Sequence, residues 1–142
     1  MEIDASTQES FSLVLFSGTD DKLTAASTLI AGAAVMGKQV HVLLQYWALD
    51  AFRKGGFDKD RGVAAEAGPE GAELMRSSIG SGLQHWSETL RQAIEIGEVS
   101  IFACAQSMDV LRLDAGDLDE IVSGVEGVAS FIEKSRGQVT FI

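Results

Sequence analysis

One junction occurs three times in this chain: Gly37-Lys38-Gln39-Val40, Gly97-Glu98-Val99 and Gly137-Gln138-Val139. Each is a helix-stopping glycine, one or two polar residues, and a valine that opens an apolar run. That is the chemistry of a helix-to-strand loop. Strands reached through helices need crossover connections, and crossovers imply a mostly parallel sheet covered on both faces. The expected fold is therefore α/β, a three-layer α/β/α sandwich with about five strands. The segments between the junctions differ in length and content, so this is not a solenoid repeat.

The runs between the junctions fill in the plan. Phe11 to Phe16 is nearly continuous in apolar residues and reads as a buried strand of the parallel kind. Ser17-Gly18-Thr19-Asp20 turns the chain, with Ser17 or Thr19 as a helix cap and Asp20 and Asp21 suited to a positive first turn. Leu23, Ala26, Ile30 and Ala33 recur at helical spacing up to Gly37. Val40 to Leu44 is a second strand, and Tyr46 to Lys54 a short helix. Trp86, Leu90, Ala93 and Ile94 mark an amphipathic helix before Gly97, and Val99 to Ala103 a third strand. Val125, Val128, Ala129 and Ile132 give a last helix, followed by a strand from Val139 to Ile142.

Residues 53–82 interrupt this order. They hold seven glycines and the only proline, Pro69, with a helical turn or two expected from Glu70 to Ser77. At 142 residues the chain reads as a single domain, 1–142, with 53–82 as a glycine-rich loop or lid insertion.

A formal net charge of −10 repels phosphate backbones and anionic lipid, so no nucleic-acid partner is expected. No apolar stretch reaches 18 residues, so no membrane span is expected either. One cysteine cannot make an internal disulfide, and without a basic cluster or an apolar h-region in Met1 to Ser10 no secretory leader is expected. These features fit a cytoplasmic protein.

In an open parallel sheet, ligands sit outside the carboxyl ends of the strands. That rule selects Ser17-Gly18-Thr19-Asp20, Gln45-Tyr46-Trp47 and Cys104-Ala105-Gln106-Ser107. The candidate binding residues are therefore Ser17, Gly18, Thr19, Tyr46, Trp47, Gln106 and Ser107. The candidate catalytic residue is Cys104, placed just before a helix start expected at Ser107. A helix start favours the reactive thiolate, whereas nearby Asp109 disfavours it. Read from these residues alone, Cys104 is either that reactive group or a small buried hydrophobe ending a strand. Neither His41, inside a strand, nor His85, on a helix beside Trp86, stands out as a catalyst. Two histidines and one cysteine without metal-ligand spacing leave no expected metal site. Asp114, Asp117, Asp119 and Glu120 lack calcium-loop spacing and read as a solvated turn and helix start. The nucleophile-elbow, P-loop and dinucleotide glycine motifs are missing from the sequence.

Four segments taken together resemble the DsrE/DsrF-like (DsrEFH-like) sulfur-relay family. They are Phe16-Ser17-Gly18-Thr19-Asp20-Asp21-Lys22 with the helix ending Met36-Gly37-Lys38-Gln39-Val40; Gln45-Tyr46-Trp47-Ala48-Leu49; Ala103 to Val110 around Cys104; and Leu118 to Ala129. The resemblance implies a small subunit of a homo-oligomer. It implies sulfane sulfur carried on Cys104 as a persulfide or thiosulfonate, exchanged with rhodanese-like or TusA-like carriers and needing no cofactor. The alternative it leaves is a non-catalytic oligomeric binding subunit in which Cys104 is structural. The chain departs from the pattern at Arg112, where the family run has glycine. It also has no second cysteine, so one subunit cannot resolve a disulfide internally.

Overall fold

The computed structural model describes residues 9–142. The expectation about a leader over Met1 to Ser10 falls mostly outside these residues. Five strands form one all-parallel sheet: β1 (Ser10–Leu15), β2 (Gln39–Leu44), β3 (Glu98–Cys104), β4 (Gly124–Glu126) and β5 (Val139–Phe141). Their spatial order is β4-β3-β2-β1-β5. The chain winds outward from β1 through β2 and β3 to β4, then returns to place β5 on the other side of β1. The topological switch point therefore lies between β1 and β5. Six α-helices accompany the sheet: α1 (Asp20–Val35), α2 (Tyr46–Ala51), α3 (Gly68–Ser78), α4 (Trp86–Ile96), α5 (Ala105–Leu111) and α6 (Val128–Ser135).

Strand alternation divides the two faces. Leu13, Leu15, Val40, Val42, Leu44, Ile101 and Ala103 point to one face and join Leu23, Ile30 and Leu90 of α1 and α4 in the main core. The registers Ser12↔His41↔Ser100 and Val14↔Leu43↔Phe102 run across the other face. That face is polar toward the strand starts and apolar toward their ends. Phe131 of α6 packs on the apolar half, with Leu43 and Cys104 buried beneath it.

The three glycine junctions do their work differently. Gly37 takes the left-handed conformation, φ +79. Gly97 is extended, φ −142, and is required for another reason. A Cβ there would lie 2.8 Å from the Cβ of Ala34, so the missing side chain lets the end of α4 approach α1. At the third junction Arg136 is already left-handed, φ +50, and Gly137 follows at φ +122.

Three sequence expectations change. Gly124-Val125-Glu126 is a strand, not the start of the last helix. It pairs with Phe102 to Cys104, and Ser123 N–H donates to the Ile101 carbonyl at 2.6 Å. The helix expected from Val125 starts at Val128, and its buried residues are Phe131 and Ser135; Val128 and Ile132 are exposed. The helix expected at Ser107 starts at Ala105, because Cys104 itself occupies the extended cap position. Residues 114–117 form a single tight turn closed by Asp114 N–H donating to Asp117 Oδ2 at 2.8 Å; no α-helix starts there.

No helix among the described residues is long and apolar enough to cross a membrane.

Candidate functional site

The carboxyl ends of β1, β2 and β3 lie along one edge, and two distinct environments form there. The first surrounds Cys104. It closes β3 with 1% of its surface exposed, among Leu43, Phe131, Val14, Phe102 and Val139. Its polar contact is Gln45, half-buried at the end of β2, whose Nε2 donates to Sγ at 3.9 Å. On the other flank, Cys104 is in register with Glu126 of β4. Glu126 is buried and held on one oxygen by Ser130 Oγ and Lys134 Nζ, both at 2.9 Å; Oε2 has no partner among the described residues. Burial works to raise the Glu126 carboxyl. The hydrogen bonds from Lys134 and Ser130, with the charges of Lys134 and His41, outweigh it and hold the group below its ordinary value.

The residue after Gln45 is backbone-strained. Tyr46 has φ +40, uncommon for a residue with a side chain and frequent at functional turns. Its ring is fixed between Phe16 at 5.6 Å and Trp47 at 6.5 Å, and Phe16 also meets Phe141 at 5.8 Å.

The second environment is an open cleft of about 360 Å³. Ser17, Gly18, Thr19 and Trp47 line it together with Asp50, Lys59, Asp60 and Arg61. Gly18 is needed here because a Cβ would lie 2.3 Å from the Trp47 carbonyl oxygen. Thr19 stands at the cap position of α1 without a side-chain cap bond, and its hydroxyl lies 3.3 Å from that of Ser17.

The structure thus joins Ser17, Gly18, Thr19 and Trp47, and separates them from Cys104. Gln106 is exposed, whereas Ser107 is wholly buried with an unpartnered Oγ. His85 is the cap residue of α4, not part of its body, and its Nδ1 accepts from Ser87 N–H at 3.2 Å. His41 sits in β2, as its sequence context suggested. Among the described residues no group of three or more His, Cys, Asp or Glu could hold a metal ion.

Sequence reading did not single out Glu126, Lys59, Arg61 or the structural part played by Asp20. Asp20 accepts from Trp86 Nε1 at 3.1 Å and Arg61 N–H at 3.0 Å, while its own N–H donates to the Gly62 carbonyl. Asp21 accepts from Ala64 N–H, and Asp50 from the Arg61 guanidinium at 3.3 Å. The carboxylates expected to serve a helix start therefore also fasten residues 61–64. Arg61 of that segment lines the cleft; the hydrophobic neighbours of Cys104 come from β1, β2, β3, β5 and α6.

Solved structures share this arrangement of elements. YchN from E. coli superposes with a TM-score of 0.54 at 13% identity, covering 93% of this chain and 99% of that one. The protein of unknown function MTH1491 from Methanobacterium thermoautotrophicum gives 0.52 at 14% identity, with the same coverage. The fold is DsrE-like. Within that fold, Cys104 ends the third strand and the open cleft follows the first. In sequence the chain is similar to the uncharacterized protein YrkE of Bacillus subtilis (strain 168), 29% identical over 140 residues, covering 84% of this chain and 87% of that protein. No family model matches the chain.

Proposed function

We propose that this protein is a sulfur carrier that holds sulfane sulfur on Cys104 and passes it to partner thiols. The observation that supports this reading is the position of the only thiol. It lies at the carboxyl edge of a DsrE-like sheet, with an amide donor on its sulfur and a strained residue next to that donor. In the loading step the Cys104 thiolate attacks the outer sulfur of a donor persulfide, R–S–SH. A bond forms between Sγ and that sulfur, the bond to R–S breaks, and R–S⁻ leaves with the electron pair. In the second step an acceptor thiolate attacks the same outer sulfur and Cys104 leaves as thiolate. Nothing is oxidised or reduced overall. Rhodanese-like or TusA-like proteins are the donors and acceptors this reading implies, with a homo-oligomer of this chain as the carrier and the cytoplasm as its compartment.

Burial of Cys104 defines how such a carrier works. A persulfide enclosed by Leu43 and Phe131 is shielded from stray reductants, and loading proceeds only when the edge opens. The same burial favours a second reading, an oligomeric binding subunit in which Cys104 is packing.

Intact mass separates the two. Native protein treated with a polysulfide or tetrathionate is expected to gain one or more sulfur atoms or a thiosulfonate group, reversibly with dithiothreitol. Cys104→Ser gains nothing. Modification that needs denaturant would sink the carrier reading and leave the binding subunit.

A further inference from the structure

We infer that the cleft between the β1–α1 turn and residues 59–61 is a binding site for a small organic anion carrying a planar ring, about the size of a nucleoside monophosphate. The site is separate from Cys104 and does not depend on sulfur chemistry. Four observations carry it.

The first is topology. The turn Ser17–Thr19 leaves the carboxyl end of β1 and Trp47 follows β2, so the cleft lies at the strand edge where parallel sheets take ligands. Phe16 and Ser17 N–H both donate to the carbonyl of Ile142, just past β5, so the start of that turn is tied to the neighbouring strand.

The second is a fixed apolar platform. Trp47 leaves 57% of its surface exposed on the cleft wall. Its backbone is wedged against Gly18, and its ring has Tyr46 as a neighbour. An indole held in water by a rigid support is a surface on which a flat ring can stack.

The third is charge. Asp50 is occupied by Arg61 and Arg53, and Asp60 by Arg76. Lys59 has no ion pair among the described residues, and Arg61 Nε is buried without a hydrogen-bond partner. The cleft lining thus holds one ammonium without an ion pair and one buried guanidinium N–H without an acceptor. The whole chain has only 11 lysines and arginines and a net charge of −10. On so acidic a protein, an unpaired cation and an unused guanidinium donor at one cleft favour an anionic group.

The fourth is size. A cleft of about 360 Å³ lies within the range of small-molecule sites. Arg61 on its wall is held by Asp20, which accepts from its backbone N–H, and by Asp50, which accepts from its guanidinium, so little ordering is required on binding.

Calorimetric titration of the intact protein with adenosine 5′-monophosphate and with flavin mononucleotide tests the assignment. Saturable binding of at least one is expected, with the corresponding uncharged nucleoside or riboflavin, and inorganic phosphate, each about tenfold or more weaker. Lys59→Glu and Trp47→Ala, both at exposed positions, are each expected to weaken binding about tenfold or more. Cys104→Ser is expected to bind as the native protein does, so this site and the sulfur-carrier reading can fail independently. No saturable heat with either nucleotide up to about 5 mM, where affinity falls below the weakest useful range, overturns the inference. So does binding unchanged by both substitutions, or an uncharged half-ligand that binds equally well.

Discussion

At the scale of single residues, Arg112 shows how a departure from a familiar pattern acquires a physical meaning. It is the position where the resembling family has glycine, and here it ends α5 in the left-handed conformation, φ +56 and ψ +46. A side chain there crowds the following carbonyl, a cost glycine avoids. Arg112→Gly is therefore expected to stabilise the protein by about 0.5–1 kcal/mol, read as a higher urea midpoint at unchanged slope. A lower midpoint would mean that the arginine side chain contributes more than the strain costs. His41 offers a test of electrostatics. Burial lowers its affinity for a proton; Glu126 of β4 opposes this, while Lys134 of α6 and Arg136 just beyond it add to the lowering. With the folded value below the ordinary 6.5, the unfolded chain binds more protons in the interval between the two. Stability contributed by neutral His41 is present at pH 7 and is lost as the pH falls from about 6.5 toward the folded value. Glu126 is shifted down from 4.5, so its contribution is retained above that pH and lost only at lower pH. The urea midpoint should fall between pH 7 and pH 5, and fall less in His41→Gln. Equal slopes in the two proteins would show that His41 does not titrate against the fold.

At the scale of elements, Asp20 couples three parts of the chain. It begins α1, anchors Trp86 of α4, and fastens the 61–62 backbone. Removing the carboxylate in Asp20→Ala leaves the indole N–H and the Arg61 N–H short of a partner. The expected loss is about 1–3 kcal/mol in urea unfolding. The 61–64 segment should also become the earliest site of proteolysis; an unchanged cleavage pattern would mean that Asp21 and Asp50 suffice to hold it. The same logic explains why residues 53–82 were hard to read. Their glycines and mixed charges suggest a loop, yet α3 covers 68–78 and residues 61–64 are held by carboxylates more than 40 residues away in Asp20 and Asp21. Nothing local encodes that attachment. The last helix was misread for a related reason. Val125 fits both a helical stripe and a three-residue edge strand, and only the bonds from Ser123 to Ile101 and the pairing with β3 decide for the strand.

At the scale of the whole molecule, the sheet is covered unevenly. One face carries the main core under α1 and α4, whereas on the other Phe131 of α6 packs over the ends of the strands. Exposed Val125, Val128, Ile132 and Phe141, at 64% for Phe141, lie in β4, α6 and β5. Apolar exposure of this kind accompanies association between subunits. Sedimentation velocity at micromolar protein is expected to show a species larger than one 15.1 kDa chain. A single monomer peak across the accessible concentration range would remove the oligomer from the proposed function.

The alternation of strands and helices and the parallel sheet were readable from the chain. Short apolar runs, helical periodicity and glycine junctions are local signals that neighbouring residues suffice to carry. Where Cys104 stood relative to its neighbours was not readable. Its burial depends on Leu43, Phe131 and Gln45, which come from other elements. The division of the predicted residues into a closed thiol and an open cleft also appeared only in three dimensions. Strands two apart in the sheet bring their ends to the same edge but not to the same cavity. Lys59 and Arg61 became candidates because the ion pairs around the cleft leave Lys59 unmatched and Arg61 Nε without an acceptor. Charge matching and enclosure are pairwise properties of residues distant in sequence, so tertiary structure alone decided them.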